Sequence, residues 1–492
     1  MTTTTLTALT ARIVLDGTSL TAAQVAAVTS GELLVEVAPE ARARVAAARE
    51  TARRIVARRR VYGHTTGVGA NRTTDVPISE VAESGMRLLR SHAGGIGPIV
   101  PTDQTRAMML IRLNQILGGG SAISVEVVDA LAAALATGHI PTVHGYAAIG
   151  TADLSALAKL GLTMAGELPW RADVATGEPP TPIRLDHWDA LPLMSSSALT
   201  IGQAALAAIE LRRLLDAVPL VAALTLTAIH GGTEPYAAEV HRRRPHTGAA
   251  VTAGRMRQLL QEPSWRANLV QDPYGLRTLP QVHGAALDSW HALDRILDIE
   301  INASSENPLL SADDYYHHGG FHQASLSLAL DQFRLALLGT AQLSTARLGV
   351  LVEPEFTGLP PFLAQAEDGS SGVMITEYAA QSALADLRAA AQPATLGHAV
   401  ISRGVEEHAS FASAGARRLL ESVERFRLVL ACELMAAVRT LRMRGHVPSG
   451  SAELEAFYDS AAAELNPDTA DRDLTEDVHR AAEILASVRI SD

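Results

Sequence analysis

Residues 322–350 read HQASLSLALDQFRLALLGTAQLSTARLGV, and this stretch decides the class of fold. Its apolar and small side chains recur at helical spacing and form one face over roughly five turns. That face consists of Leu330, Phe333, Leu337, Ala341, Ser344 and Leu348. A stripe of this length predicts a long helix that packs against other helices.

The same spacing returns along the chain, and the alternation typical of strands is scarce. Further helices are predicted at 124–137, 198–216, 374–391, 412–442 and 451–465. Small residues on their faces permit close packing, so we predict an all-α protein built around a bundle of long helices. Residues 1–200 are richer in glycine and proline, with shorter helices. We therefore predict a loop-rich N-terminal domain over 1–200 and a long-helix bundle with C-terminal helices over 201–492.

The composition excludes several classes of protein. With 492 residues, 47% of them hydrophobic, the chain is long enough for a large core. Its net charge of −12 argues against a nucleic-acid partner, because phosphate binding needs clustered positive charge. Residues 1–6 show no signal-peptide pattern, and the apolar run 218–229 is too short to span a membrane. The single cysteine, Cys432, fits a reducing cytoplasm, where we expect the protein to lie.

Two kinds of bound group are also disfavoured. Pyridoxal phosphate needs a Schiff-base lysine, and the only lysine, Lys159, lies on an apolar helical segment typical of a snorkelling side chain. We therefore expect no pyridoxal phosphate. His317, His318 and His322 are close in sequence, but no carboxylate or cysteine follows at a ligand spacing. We therefore expect no metal.

Polar motifs lie in loops between the predicted helices. They are 61–69 (VYGHTTGVG), 91–95 (SHAGG), 271–281 (QDPYGLRTLPQ), 300–309 (EINASSENPL), 319–322 (GGFH) and 405–411 (VEEHASF). In this order and nearly end to end, the chain resembles the histidine and aromatic amino acid ammonia-lyases and the related aminomutases. The resemblance implies a mainly helical homotetramer whose active sites combine residues of three subunits. It also implies a methylidene-imidazolone electrophile that forms autocatalytically from an Ala-Ser-Gly triplet.

The resemblance assigns roles to individual residues. Tyr62 would be the catalytic base, which requires its pKa to fall from about 10, and His92 would contact a polar substrate ring. Arg277 would grip the substrate carboxylate through its planar fork, with Asn307 orienting it. The remaining pocket residues would be Gln271, Tyr274 (a second candidate catalytic tyrosine), Phe321 and Glu406. Plainer interpretations stay open: a loop tyrosine, a structural salt bridge at Arg277, and an ordinary helix start at 406–408.

Residues 144–159 read HGYAAIGTADLSALAK, and Gly150-Thr151-Ala152 stands where the family has Ala-Ser-Gly. To close the ring, the amide nitrogen of Ala152 must attack the carbonyl of Gly150, and Thr151 must lose water. Thr151 would then give an ethylidene, and Ala152 places a Cβ beside the attacking nitrogen. Both changes disfavour the ring without forbidding it. Thr151 could instead cap the following helix.

Other residues implied to support the electrophile are changed as well. Ser195 and Gly320 stand where the family has asparagines, and Thr345 stands where it has glutamate. The leading expectation is a carbon–nitrogen lyase that acts on an aromatic or imidazole amino acid or a derivative, with Tyr62 as base. A ring-free member that uses Tyr62 and Glu406 for a different elimination or addition is the alternative, and a non-catalytic relic is another.

Overall fold

The computed structural model describes residues 11–76, 81–261, 263–311, 314–365 and 369–490. Helices dominate these ranges, so the all-α prediction is confirmed. In chain order the helices are α1 (Ala22–Thr29), α2 (Pro39–Val56), α3 (Val81–His92), α4 (Thr102–Leu117), α5 (Val125–Thr137), α6 (Leu154–Met164), α7 (His187–Met194), α8 (Ala198–Ile229), α9 (Ala238–Arg243), α10 (Thr247–Leu260), α11 (Tyr274–Arg277), α12 (Leu279–Asn302), α13 (Ala324–Val352), α14 (Pro354–Thr357), α15 (Met374–Ala390), α16 (Ala412–Met443), α17 (Ala452–Glu464) and α18 (Thr475–Ala486).

The strands are short and pair two by two. They are β1 (Ala11–Leu15), β2 (Leu33–Val37), β3 (Ile96–Ile99), β4 (Ile140–Pro141), β5 (His144–Tyr146), β6 (Trp170–Arg171), β7 (Leu309–Ser311) and β8 (Asp314–Tyr316). Strands β1 and β2 are parallel, with Ala11 opposite Leu33. The pairs β3–β5, β4–β6 and β7–β8 are antiparallel. These ribbons connect the helices and do not form an extended sheet.

The chain divides into two units. Unit 1 comprises Met1–Leu206, Asp294–Leu330 and Pro393–Arg417, and unit 2 comprises Ala207–Leu293, Asp331–Gln392 and Arg418–Asp492. The first boundary lies near the predicted one at residue 200. However, two later segments belong to unit 1, because α12, α13 and α16 each contribute residues to both units. The division into domains at 1–200 and 201–492 stays a prediction.

The helix predicted at 198–216 continues to Ile229, although Pro219 lies in its interior. An interior proline removes a hydrogen bond and costs a helix about 3 kcal/mol. Here Val218, Val221 and Leu224 are fully buried around Pro219, so tertiary packing outweighs the local penalty. The run 218–229 is therefore the second half of a core helix.

Helix α13 is, among the described residues, the one helix long and apolar enough to span a membrane by length and composition. Its most apolar stretch has a mean hydropathy of 1.4, and half of that stretch is buried inside the protein. The helix also carries the fully buried Arg347. These properties are those of a core helix.

A buried ion pair organises unit 2. The guanidinium of Arg347 meets the Glu433 carboxylate through Nε at 2.6 Å and Nη2 at 2.7 Å, and both side chains are fully buried. Ser344 and Thr225 donate to the same carboxylate at 2.6 and 2.8 Å. Arg347 also donates from Nη1 to the Gly275 carbonyl at 3.1 Å. The pair therefore fixes the short helix α11.

We predict that Arg347→Met lowers the free energy of unfolding by about 3–5 kcal/mol, because Glu433 is left buried without its partner. Arg243→Ala is the control, since Arg243 is 83% exposed in its pair with Glu239 and should change stability little. Urea unfolding at fixed pH measures both variants. Equal losses in the two variants would contradict the central role of the buried pair.

Candidate active site

A cavity of about 1060 Å³ opens in unit 1. This volume lies slightly above the usual range of about 300–1,000 Å³ for small-molecule pockets. Its lining includes these residues singled out in the sequence: Tyr62, His92, Thr151, Ala152, Ser195, Asn307, Phe321 and Glu406. The fold of unit 1 therefore gathers residues that are far apart in sequence. Gly150 is buried and directly precedes the lining residue Thr151 in the chain.

Tyr62 is held by its own loop. The backbone N–H of Gly69 donates to its phenol oxygen at 2.6 Å, and its own N–H donates to Nε2 of His317 at 3.1 Å. Burial raises the pKa of Tyr62, and the Glu406 carboxylate raises it further, against the Gly69 hydrogen bond and Arg72. The sequence argument required a lowered pKa, and unit 1 alone does not provide it, because burial disfavours the phenolate.

A buried arginine, Arg112, connects the segments that carry Ser195 and Asn307. Its Nη2 contacts the Glu306 carboxylate at 2.9 Å and donates to the Pro192 carbonyl at 2.6 Å. The two segments also meet directly, because the N–H of Asn307 donates to Oγ of Ser195 at 3.1 Å. Ser195 therefore positions Asn307.

The Asn307 side chain is oriented from one side only. Its Oδ1 accepts from the N–H of His318 at 3.0 Å, and His318 donates from Nε2 to the Glu306 carbonyl at 2.7 Å. Its Nδ2 has no partner within the described residues. This group can therefore donate to a ligand, as the carboxylate role requires.

His92 lines the cavity, and its Nε2 has no partner within the described residues. Its Nδ1 lies 2.9 Å from the Leu88 carbonyl and 3.0 Å from Oγ of Ser91. Because a carbonyl only accepts, the tautomer with the proton on Nδ1 satisfies the Leu88 contact and leaves Nε2 as an acceptor. An acceptor at this place suits an N–H or O–H group on a substrate ring. Phe321 is half-buried at the same cavity, 6.5 Å from the ring of His318.

The N-terminal end of α16 clamps the loop before Thr151. Oγ of Ser410 donates to the Gly150 carbonyl at 2.9 Å. The N–H of Phe411 donates to the Ile149 carbonyl at 2.8 Å, and Oγ of Ser413 donates to the Ala148 carbonyl at 2.7 Å. Three consecutive carbonyl groups are thus fixed by one helix end.

The interpretation of Thr151 as a helix cap is wrong. Helix α6 begins at Leu154 and its cap residue is Asp153, after Ala152 turns the chain at a φ of +143°. The Asp153 carboxylate instead accepts from the N–H and the hydroxyl of Thr200 at 2.8 and 2.9 Å. Asp153 therefore caps the first turn of α8.

Glu406 lies in a loop, because α16 begins only at Ala412. Its backbone pairs with Ile401, whose N–H donates to the Glu406 carbonyl at 2.9 Å. The interpretation of 406–408 as an ordinary helix start is therefore wrong. The Glu406 carboxylate is a lining group of the cavity.

Gln271, Tyr274 and Arg277 belong to unit 2. Arg277 donates from Nη1 to Oε1 of Gln271 at 2.6 Å, and its guanidinium stacks 4.6 Å from the Tyr274 ring centroid. No carboxylate in the described ranges lies within ion-pair distance of Arg277, so it is not a structural salt bridge. Tyr274 is 67% exposed. The three form a surface cluster on unit 2 that can receive a carboxylate.

Comparison with known proteins identifies the family. The model of the aromatic amino acid lyase family matches residues 20–463. The chain belongs to the aromatic amino acid lyase family. It is 33% identical to histidine ammonia-lyase from Symbiobacterium thermophilum over 487 residues, which cover 95% of this chain and 96% of that protein.

Solved structures of the family agree with this assignment. Histidine ammonia-lyase from Trypanosoma cruzi is 27% identical, with a TM-score of 0.88 over 97% of this chain and 93% of that one. Tyrosine aminomutase from Streptomyces globisporus is 26% identical, with a TM-score of 0.89 over 96% and 97%. The expectation of an ammonia-lyase fold and of an enzyme is confirmed.

The residues around the triplet do not fit the electrophile that the family makes. Ser195 has its hydroxyl engaged by Asn307, and a Cβ on Gly320 would lie 2.8 Å from Nδ1 of His318, so an asparagine there would displace the His318 ring. Gly150 has a φ of +92°, and an added Cβ would lie 2.1 Å from Oγ of Ser410. An alanine at this position would therefore require the Ser410 side chain and the backbone at 411–412 to move.

Four lining histidines besides His92 were missed as site residues in the sequence. They are His317, His318, His322 and His408, and Nε2 of His322 shares a hydrogen bond with Nδ1 of His408 at 3.0 Å. Burial and the neighbouring His408 lower the pKa of His322. The sequence considered the first three only as metal ligands. Within the described ranges no group of three or more His, Cys, Asp or Glu residues is arranged to hold a metal.

The buried Asp153 predicts a pH dependence of stability. Burial raises its pKa from 3.8 to about 6, against the hydrogen bonds of Thr200. Between these values the folded protein holds a proton that the unfolded chain has released, so stability falls as pH rises. Relative to Asp153→Asn, the wild type should lose on the order of 2–3 kcal/mol between pH 4 and 6.

Denaturant unfolding at several pH values measures this difference. Asp471→Asn is the control with the opposite sign, because hydrogen bonds from Ser371, Ser370 and Gly372 lower the pKa of Asp471. The wild type should therefore lose stability relative to Asp471→Asn as pH falls below about 4. A wild-type advantage over Asp153→Asn that grows from pH 4 to 6 would contradict the assignment.

Proposed function

We propose that this chain is a carbon–nitrogen lyase that eliminates the amine from an imidazole or aromatic amino acid, or a close derivative. One observation carries the proposal: a single cavity presents a phenol, carboxylates and an amide donor without a partner in the described residues to the same space. These groups match the β-proton, the carboxylate and the amine of an amino acid. The aromatic amino acid lyase family supports the same class of reaction.

Substrate binding would use groups from two subunits. We propose that Nδ2 of Asn307 binds one oxygen of the substrate carboxylate and that Arg277 of a partner subunit binds it bidentately, in the homotetramer that the resemblance implies. Arg277 suits this role because no carboxylate in the described ranges pairs with it. His92 would accept a hydrogen bond from the imidazole or phenol of the substrate.

Proton transfer would use Tyr62. Its raised pKa means that the phenol of unit 1 alone is protonated at neutral pH. A base at this position therefore needs an added cation, which the guanidinium of the partner's Arg277 would supply. Tyr62 would then take the β-proton, the C–N electron pair would pass to nitrogen, and a carbon–carbon double bond would form.

The amine side of the reaction would use the carboxylates. Glu406 and Glu407 line the cavity and favour a protonated amine, which departs as a neutral molecule. His92 and Glu406 would thus hold opposite ends of the substrate. We propose no step through pyridoxal phosphate, because Lys159 binds Nδ1 of His144 at 2.7 Å and is not a lining residue.

We predict that Tyr62→Phe lowers kcat by at least about 10²-fold, since general base catalysis contributes about 10²–10⁴-fold. Binding should change little, because the ring remains. Ammonia release from L-histidine, L-tyrosine and L-phenylalanine measures turnover. Tyr146→Phe, at an exposed tyrosine outside the cavity, should keep full activity. A Tyr62→Phe protein with wild-type kcat would remove the base assignment.

We predict that His92→Leu lowers kcat/KM for histidine and tyrosine by about five-fold or more, because one hydrogen bond to the substrate ring is lost. The value for phenylalanine should not fall, so the preference shifts toward the apolar ring. The exposed His398→Leu variant is the control and should keep the wild-type order of kcat/KM among the three amino acids. If His92→Leu keeps the wild-type order of kcat/KM, His92 does not select the substrate by its ring.

A further inference from the structure

We propose that residues 150–152 remain an ordinary peptide in the mature protein and that the Thr151 hydroxyl binds the substrate directly. The second half of this inference rests on the proposed function. The first half concerns only the covalent state of the chain. Both halves are argued from the contacts of the loop.

A hydrogen bond to the Gly150 carbonyl oxygen favours the open peptide over the ring. Ring closure would expel its oxygen as water, and this is the oxygen that Oγ of Ser410 holds at 2.9 Å. The carbonyl groups of Ala148 and Ile149 are fixed by the same helix end. The loop therefore keeps one backbone geometry, which at Gly150 only glycine adopts easily, with a φ of +92°.

Ala152 carries the nitrogen that would attack, and it is already strained. A φ of +143° costs a residue with a side chain about 1–3 kcal/mol. The N–H of Asp153, the next residue, donates to the Ser196 carbonyl at 2.8 Å, which fixes the chain on the far side. Closing a five-membered ring would add strain between the Gly150 carbonyl and the Asp153 N–H, which are both held by hydrogen bonds.

Ser195 and Gly320, which stand where the family has asparagines, form hydrogen bonds with other residues. The Ser195 hydroxyl accepts from the Asn307 N–H, and Gly320 donates its N–H to Nδ1 of His318 at 2.8 Å. Neither residue offers the side-chain amide that the family places there. Ring closure therefore lacks both an open geometry and supporting groups.

In the unmodified peptide, Thr151 contributes a polar side chain to the wall of the cavity. It lines the same space as Tyr62, Asn307 and Glu406, and its hydroxyl has no hydrogen-bond partner within the described residues. A hydroxyl can both donate and accept, so it suits the amine or the carboxylate of an amino acid. The clamp at α16 holds it in place, as a substrate-binding residue requires.

Intact mass of the full purified chain tests the first half. We expect the mass of the unmodified sequence, and trypsin fragment 113–159, which contains the segment, should also be unmodified. Loss of two water molecules from that fragment would overturn the proposal. This readout needs no activity.

Substitution at Thr151 tests the second half. Thr151→Val should raise KM by about five-fold, the worth of one neutral hydrogen bond, with kcat within about three-fold. Thr151→Ser should stay near the wild type, because the hydroxyl is kept. Thr137→Val removes a hydroxyl that bonds the Ala133 carbonyl outside the cavity and should change nothing.

Two results would overturn the substrate contact. One is an unchanged KM in Thr151→Val, and the other is loss of nearly all turnover in both Thr151 variants. KM is measured with the fastest substrate among L-histidine, L-tyrosine and L-phenylalanine. If none releases ammonia, the proposed function fails, whereas intact mass still decides the state of residues 150–152. Calorimetric binding of L-histidine then replaces KM for the variants.

Discussion

The buried guanidinium of Arg112 is the constraint on which the candidate site depends. A charge without solvent must be matched on every side, and Arg112 is matched by the Glu306 carboxylate and by carbonyls of Pro192 and Leu193. These partners are neighbours in sequence of Ser195 and Asn307. Because Arg112 binds both segments at once, it fixes them relative to each other.

Unit 2 uses the same physical device. Its buried pair Arg347–Glu433 reaches the Gly275 carbonyl and so fixes the segment that carries Arg277. Buried ion pairs add little net stability compared with apolar packing, because desolvation offsets their attraction. Their value here is geometric: each fixes a loop-like segment that carries a candidate substrate-binding group.

The sequence predicted what depends on local pattern and missed what depends on packing. Apolar spacing located α13 and α16, because a helix buries one face. It could not extend α8 through Pro219, since burial around that proline is a tertiary property. It could state the lowered pKa that a base at Tyr62 requires, but not the raised pKa of Tyr62 in the single chain, which burial sets first and Glu406 raises further. It missed His408 as a neighbour of His322, because 86 residues separate the two.

The departures from the family motif are coupled to their surroundings. Gly150 lacks a side chain where the Ser410 hydroxyl fills the space, and Gly320 lacks one where the His318 ring does. In each case a neighbouring polar side chain occupies the volume and makes a hydrogen bond, to the Gly150 carbonyl in one case and from the Gly320 N–H in the other. Each glycine therefore leaves the neighbouring polar side chain with a hydrogen-bond partner, and the proposed role of Thr151 rests on its place in the cavity wall.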